Sequence, residues 1–161
     1  MADPTLEFGG EEHFRAAPSR LYALLTDLDR LGRSIPDASG VERIDATAIR
    51  CVVKPGFSFL RGRLQTTVSL VDLEEPTRAT MRIHSKGIGV EMEVESRLAI
   101  SPENAGSRLD WSARVLKLKG LAATISSSLI RGAAEQTIMR GWDQLRQELG
   151  ETTPESIDAE S

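Results

Sequence analysis

Few side chains in this 161-residue sequence could carry chemistry, and their spacing decides what that chemistry can be. The two histidines, His13 and His84, are far apart, and Cys51 is the single cysteine. Zinc needs three or four converging ligands, and no closing set of spacings accompanies these residues, so no metal site is expected. A Ser-His-Asp triad has no G-x-S-x-G elbow to expose its nucleophile, so no catalytic residues are assigned. Cys51 reads as a small buried hydrophobe rather than a nucleophile. Gly87-Ile88-Gly89 has the look of a phosphate loop, but it lies between two strands and has no helix N-terminus to hold an anion, so it reads as a turn or bulge. Glu91, Glu93 and Glu95 alternate along one strand. That spacing puts all three on a wet face, where Arg97 or a cross-strand base can pair with them.

Two apolar features are less easily reduced to surface chemistry. In Lys54 to Arg63 (KPGFSFLRGR), two of the four phenylalanines fall in one hairpin between basic residues. Phe57, Phe59, Leu60 and Arg61 either fold back to close the core or form a hydrophobic tip with a basic collar, suited to a cavity entrance or to docking on an anionic membrane or a partner protein. The second feature is Gly132-Ala133-Ala134 inside a helical pattern. Each glycine in a helix interior costs about 1 kcal/mol relative to alanine, which suggests a compensating role in packing or in lowering a cavity floor.

Chain-wide patterning supplies the elements around these residues. The net charge of -4 argues against a broad nucleic-acid footprint, so no nucleic-acid partner is expected. With 40% hydrophobic residues but only 4% aromatic ones, the interior must be mainly aliphatic. One cysteine, no signal-like N-terminus and no long apolar run suggest a cytoplasmic protein whose membrane contact could only be peripheral. Residues 1–4 read as a tail, 5–149 as one domain, and 150–161 as an acidic flexible tail.

Residues 5–16 form a first strand, with a bulge or bend expected at Gly9 and Gly10. Pro18 opens a short helical region, one helix or two broken near Asp27. From Gly40 to Leu118 the chain alternates as six strands, each with one wet face. The clearest runs are Ile88, Val90, Met92, Val94, Leu98 and Ile100, and then Leu109, Trp111, Ala113 and Val115. Gly120 to Leu149 reads as a helix about 40 Å long, with an apolar stripe through Leu121, Ile125, Leu129, Ile138, Trp142, Leu145 and Leu149. The order βααββββββα predicts an α+β fold in which a seven-stranded antiparallel sheet wraps one long C-terminal helix.

Three segments, APSRLYALLTDLDRLGRSIPDASGVERI, GRLQTTVSLVDLEEP and GLAATISSSLIRGAAEQ, resemble the START-like, helix-grip superfamily that includes the birch-pollen allergen and polyketide cyclases. Within it the chain is most similar to the CoxG family, named for a component of carbon monoxide dehydrogenase. The family pattern AP-x-x-x-x-W-x-x-L-x-D-x-x-x-L-x-x-x-I-P-G is matched at Ala17, Pro18, Leu25, Asp27, Leu31, Ile35 and Pro36. Tyr22 replaces its Trp and Asp37 its Gly. The resemblance implies a hydrophobic-ligand cavity and an accessory role around a molybdenum hydroxylase.

Together the pattern and the resemblance point to a non-enzymatic carrier of a lipid, quinone or isoprenoid-like molecule, with no cofactor of its own. The expected cavity is lined by Val68, Leu70, Met81, Met92, Val94 and Trp111 from the strands, and by Ile125, Leu129, Gly132 and Gln136 from the helix. Ser127, Ser128 or Gln136 would orient the ligand. Two alternatives stay open: a small cyclase or hydrolase using the same cavity, which needs an inward acid or base, and a docking module acting through the 54–63 hairpin.

Overall fold

In the computed structural model, residues 6–35, 37–54, 62–87, 89–120 and 126–151 are described, together with all their side chains except that of Ser127. The elements follow the expected order. β1 (Glu7–Phe14) leads into α1 (Pro18–Leu25) and α2 (Leu28–Ser34), followed by β2 (Ala38–Asp45), β3 (Ala48–Val53), β4 (Leu64–Glu74), β5 (Arg78–Gly87), β6 (Val90–Glu103), β7 (Gly106–Gly120) and α3 (Ser127–Glu148). The strands form one antiparallel sheet in the order β1-β7-β6-β5-β4-β3-β2.

The helical region breaks at Asp27, because the Asp27 carboxylate accepts the Arg30 N–H at 3.1 Å and starts a new helix. Pro18 sits in the first turn of α1, where its missing N–H removes no bond.

The strand parities put one residue from each strand into transverse rows on the inner face. Ile49, Val68, Ile83, Val94 and Val115 form one row, and Cys51, Thr66, Ser85, Met92 and Leu118 the next. β7 does not keep simple alternation to its end. Glu93 pairs with Lys117 and Val94 with Val115, so Leu116 is the extra residue of a bulge. The bulge leaves Leu116 exposed, keeps Lys117 with the outward carboxylates, and turns Leu118 inward beside Met92.

Three expectations need correction. β7 continues to Gly120, and the last helix begins at Ser127, whose N-cap Ser126 Oγ accepts the Leu129 N–H at 3.3 Å. Leu121 and Ile125 lie outside the described residues. Gly9 and Gly10 make no bulge, because β1 pairs with β7 in unbroken register from Glu7 to Phe14. These glycines instead make room for Trp111: a Cβ on Gly9 would lie 2.7 Å from the Trp111 carbonyl oxygen, and one on Gly10 3.1 Å from its indole Nε1. Finally, Glu95 is not a solvated carboxylate. Its side chain is 9% exposed and lies between Arg82 at 3.3 Å and Arg97 at 3.2 Å.

Candidate functional site

Two apolar clusters cover the inner face of the sheet. In the first, Trp142, Leu145 and Leu149 of α3 pack on Leu98, Ile100, Leu109 and Trp111, with α1 contributing Leu21, Tyr22 and Leu25. Burying each large side chain of this kind stabilises the fold by roughly 1.5–3 kcal/mol. In the second, Leu28, Leu31 and Ile35 of the α2 region cover Ile49, Val68, Leu70, Met81 and Ile83.

α3 runs antiparallel to β7 and is fixed mainly at its C-terminal end. Arg146, 5% exposed, meets Glu12 at 2.7 Å, contacts the His13 carbonyl at 3.3 Å and lies over the Phe14 ring. Glu148 meets the buried Arg30 of α2 at 2.7 Å. Glu151, within the expected tail, accepts the Arg15 and Ala16 N–H groups at 2.9 and 3.1 Å. Glu12 occupies the inner parity of β1, opposite Leu109. An inward acid in an apolar strand needs a partner, and Arg146 supplies it from the helix.

The N-terminal half of α3 is different. Leu129 is 53% exposed, Gly132 and Gln136 are exposed, and a Cβ on Gly132 would meet nothing within 4 Å. These three residues were expected to line the cavity, but they do not face the strands. The reason is helical phase: Leu129 precedes Ile138 by nine residues, or two and a half turns, which places them on opposite sides. Carried back from Ile138, the sheet-facing stripe passes through Ala134 and Arg131. Both are half-buried, and the Arg131 guanidinium stacks 5.6 Å from the centre of the Phe8 ring.

Along the sheet beyond the Leu98–Trp111 pair, the inner rows leave Ile83, Met92, Val94, Val115 and Leu118 only half-buried, and Ile83 and Met81 form the border with the cluster under α2. This apolar patch is the candidate site. Of the strand residues expected to line a cavity, Met81, Met92 and Val94 belong to it. Val68 and Leu70 are buried under α2, and Trp111 packs against Trp142 at 5.9 Å between ring centres. Ile125 and the expected entrance residues Phe57, Phe59, Leu60 and Arg61 lie outside the described residues.

Polar groups on the inner face are few. Thr66 and Ser85 bond each other at 2.9 Å in the row containing Cys51, and burial raises the Cys51 thiol pKa. The inward Ser85 was legible from its alternation with Ile83, and the inward Glu12 from its alternation with Phe14. The Trp111 and Trp142 indole N–H groups are buried without a hydrogen-bond partner. Among the described residues, no group of three His, Cys, Asp or Glu side chains could hold a metal ion. His84 stays on the outer face, where its Nε2 meets Glu91 at 2.8 Å; this hydrogen bond is the main cause of a lowered Glu91 pKa. The recesses on the outer face, of about 440 and 310 Å³, are lined by charged groups such as Arg78, Arg97, Asp110 and Arg114.

Residues 10–150 match the family model for CoxG, a component of carbon monoxide dehydrogenase. The chain belongs to the CoxG family. Its fold is that of a conserved protein from Geobacillus kaustophilus, with a TM-score of 0.83 at 16% identity, covering 90% of this chain and 95% of that one. A START superfamily protein from Mycobacterium smegmatis aligns with a TM-score of 0.64 at 11% identity, over 88% of this chain and 95% of that one. Ara h 8.0201 aligns with a TM-score of 0.62 at 16% identity, over 89% and 94% respectively. No curated protein matches the chain in sequence. These likenesses establish the helix-grip α+β fold for this CoxG chain. No helix among the described residues is long and apolar enough to cross a membrane.

Proposed function

We propose that this CoxG-family chain carries a hydrophobic small molecule, a lipid, quinone or isoprenoid-like compound, between the inner face of its sheet and the N-terminal half of α3. The supporting observation is the asymmetry of α3. Its C-terminal end is held by the Arg146–Glu12 and Glu148–Arg30 pairs, whereas Leu129, Gly132 and Gln136 of its N-terminal half are exposed and Met92, Val94, Val115 and Leu118 of the inner sheet face are left half-buried. A helix anchored at one end can admit a ligand at the other without disturbing the main core. Affinity would come from removing Met92, Val94, Val115 and Leu118 from water at roughly 25 cal/mol per Å².

An accessory role beside a molybdenum hydroxylase completes the proposal, supported by the family's description as part of carbon monoxide dehydrogenase. A cyclase or hydrolase would need an inward acid or base free to act. Glu12, the inward acid of β1, is already paired with Arg146, so the geometry favours a carrier. Titration with N-phenyl-1-naphthylamine tests the site. One saturable site that Met92→Glu abolishes, with the thermal transition retained, supports it. Saturable binding that Met92→Glu leaves unchanged refutes it.

A further inference from the structure

Arg131 is out of place on an apolar helix face. Its position, seven residues before Ile138, directs it to the sheet side, where it stacks on Phe8. Among the described residues it forms no salt bridge. The inward acid of β1, Glu12, is held by Arg146, while Arg114 and Glu7 pair on the outer face. Phe8 meets Trp111 edge-on at 6.4 Å, and Trp111 in turn contacts Trp142. Trp111 and Trp142 are 8% and 9% exposed, and each buries an indole N–H with no acceptor. The Trp111 Nε1 lies against Gly10, two residues from Phe8 on the same strand face. Arg131, Phe8, Trp111 and Trp142 thus form one run of contacts beside the apolar rows, and among the described residues neither indole N–H has an acceptor and Arg131 has no salt-bridge partner. Donors buried in this way cost stability until an acceptor reaches them.

We propose that this corner receives the head group of the carried molecule, and that the ligand is an amphiphile with an anionic, carboxylate-type head and an apolar tail. The head accepts hydrogen bonds from the Arg131 guanidinium and from an indole N–H. The tail lies along Val94, Val115, Met92 and Leu118, away from the anchored end of α3. This inference rests on the carrier reading and adds the polarity and orientation of the ligand. A charge-assisted hydrogen bond is about twice as strong as a neutral one, so carboxylate and alcohol heads on one tail are distinguishable.

The test compares dodecanoate with dodecanol by calorimetry, using the full-length protein and its Arg131→Gln and Trp111→Phe variants. The wild type is expected to bind dodecanoate about tenfold or more tightly than dodecanol. Arg131→Gln should bring the two affinities together by weakening dodecanoate binding far more than dodecanol binding, and Trp111→Phe should likewise weaken dodecanoate binding more than dodecanol binding. Equal binding of both probes to the wild type would overturn the head-group assignment while leaving the carrier reading in place. Binding of neither would overturn both. Because the comparison of probes is made first in the wild type, it does not depend on either variant folding.

Discussion

Replacing Glu12 with alanine tests how α3 is anchored. The Arg146 side chain is 5% exposed and that of Glu12 14%, so the pair is largely withdrawn from water. Removing one partner of a buried ion pair costs about 3–5 kcal/mol, because the remaining charge is left uncompensated. Arg146 would keep the His13 carbonyl at 3.3 Å and the Phe14 face at 4.7 Å, which places the expected loss near the lower limit, about 3 kcal/mol. For a domain of this size that corresponds to a melting temperature lower by roughly 6–12 °C. Urea unfolding followed by circular dichroism measures it. Glu42→Ala provides the comparison, since its pair with Arg50 is more than half exposed on both sides and is worth at most about 1 kcal/mol. The double variant Glu12→Ala/Arg146→Met should recover most of the loss, because an apolar pair no longer strands a charge. A Glu12→Ala effect no larger than that of Glu42→Ala would refute the anchoring role.

Other predictions follow from the same geometry. Gly132→Ala should stabilise the protein by about 0.5–1 kcal/mol, since the site is open and alanine favours the helix, whereas Gly9→Ala should destabilise it by about 1–3 kcal/mol through its clash with the Trp111 carbonyl. Thermal melts of the two variants should therefore shift in opposite directions. Hydrogen exchange should be slower at amides 142–149 than at 129–136, because only the former stretch lies on the buried core. His13 is held at both ring nitrogens: the Glu103 bond at 2.6 Å is the larger cause of its raised pKa, desolvation opposes it, and the Glu11 bond at 2.8 Å adds to it. Both nitrogens must donate, so the imidazolium is the favoured form. Its contribution to stability is complete below the unfolded value of about 6.5 and is lost as pH rises through the higher folded value. His13→Asn should flatten the melting temperature over that window.

Much of the fold could be read from alternation and punctuation. Leu98 with Ile100 and Leu109 with Trp111 mark the core face of β6 and β7, while Pro18 and Asp27 mark the starts of α1 and α2. What escaped the sequence reading depended on contacts between distant residues. Gly9 and Gly10 resemble a bulge until the Trp111 carbonyl is placed against the first and the Trp111 ring over the second. The pairing of Glu95 with Arg97 and a cross-strand base was legible, but not that Arg82 and Arg97 together would bury its carboxylate. The Leu116 bulge restores an apolar inward residue at Leu118, where strict alternation would have placed Lys117.

The candidate site was less legible than the fold, and the cause is the phase of α3. An apolar stripe drawn through Leu129 to Ile138 crosses the helix, because nine residues are two and a half turns. Gly132 and Gln136 therefore turned outward, while Arg131, ignored as a charged residue, turned inward. Val68 and Leu70 were correctly placed on the inner face, but a strand pattern does not reveal that α2 rather than α3 covers them. Met81, Met92 and Val94 were recognisable as inward residues, and they contribute to the half-buried patch.

The central claim is that the space between α3 and the inner face of the sheet holds a hydrophobic molecule. Native mass spectrometry of the protein purified from its own host measures this most directly. The account predicts a retained lipophilic mass at one per chain, lost in Met92→Glu protein that still folds. Protein that is repeatedly empty, or a retained mass that Met92→Glu does not displace, would contradict it.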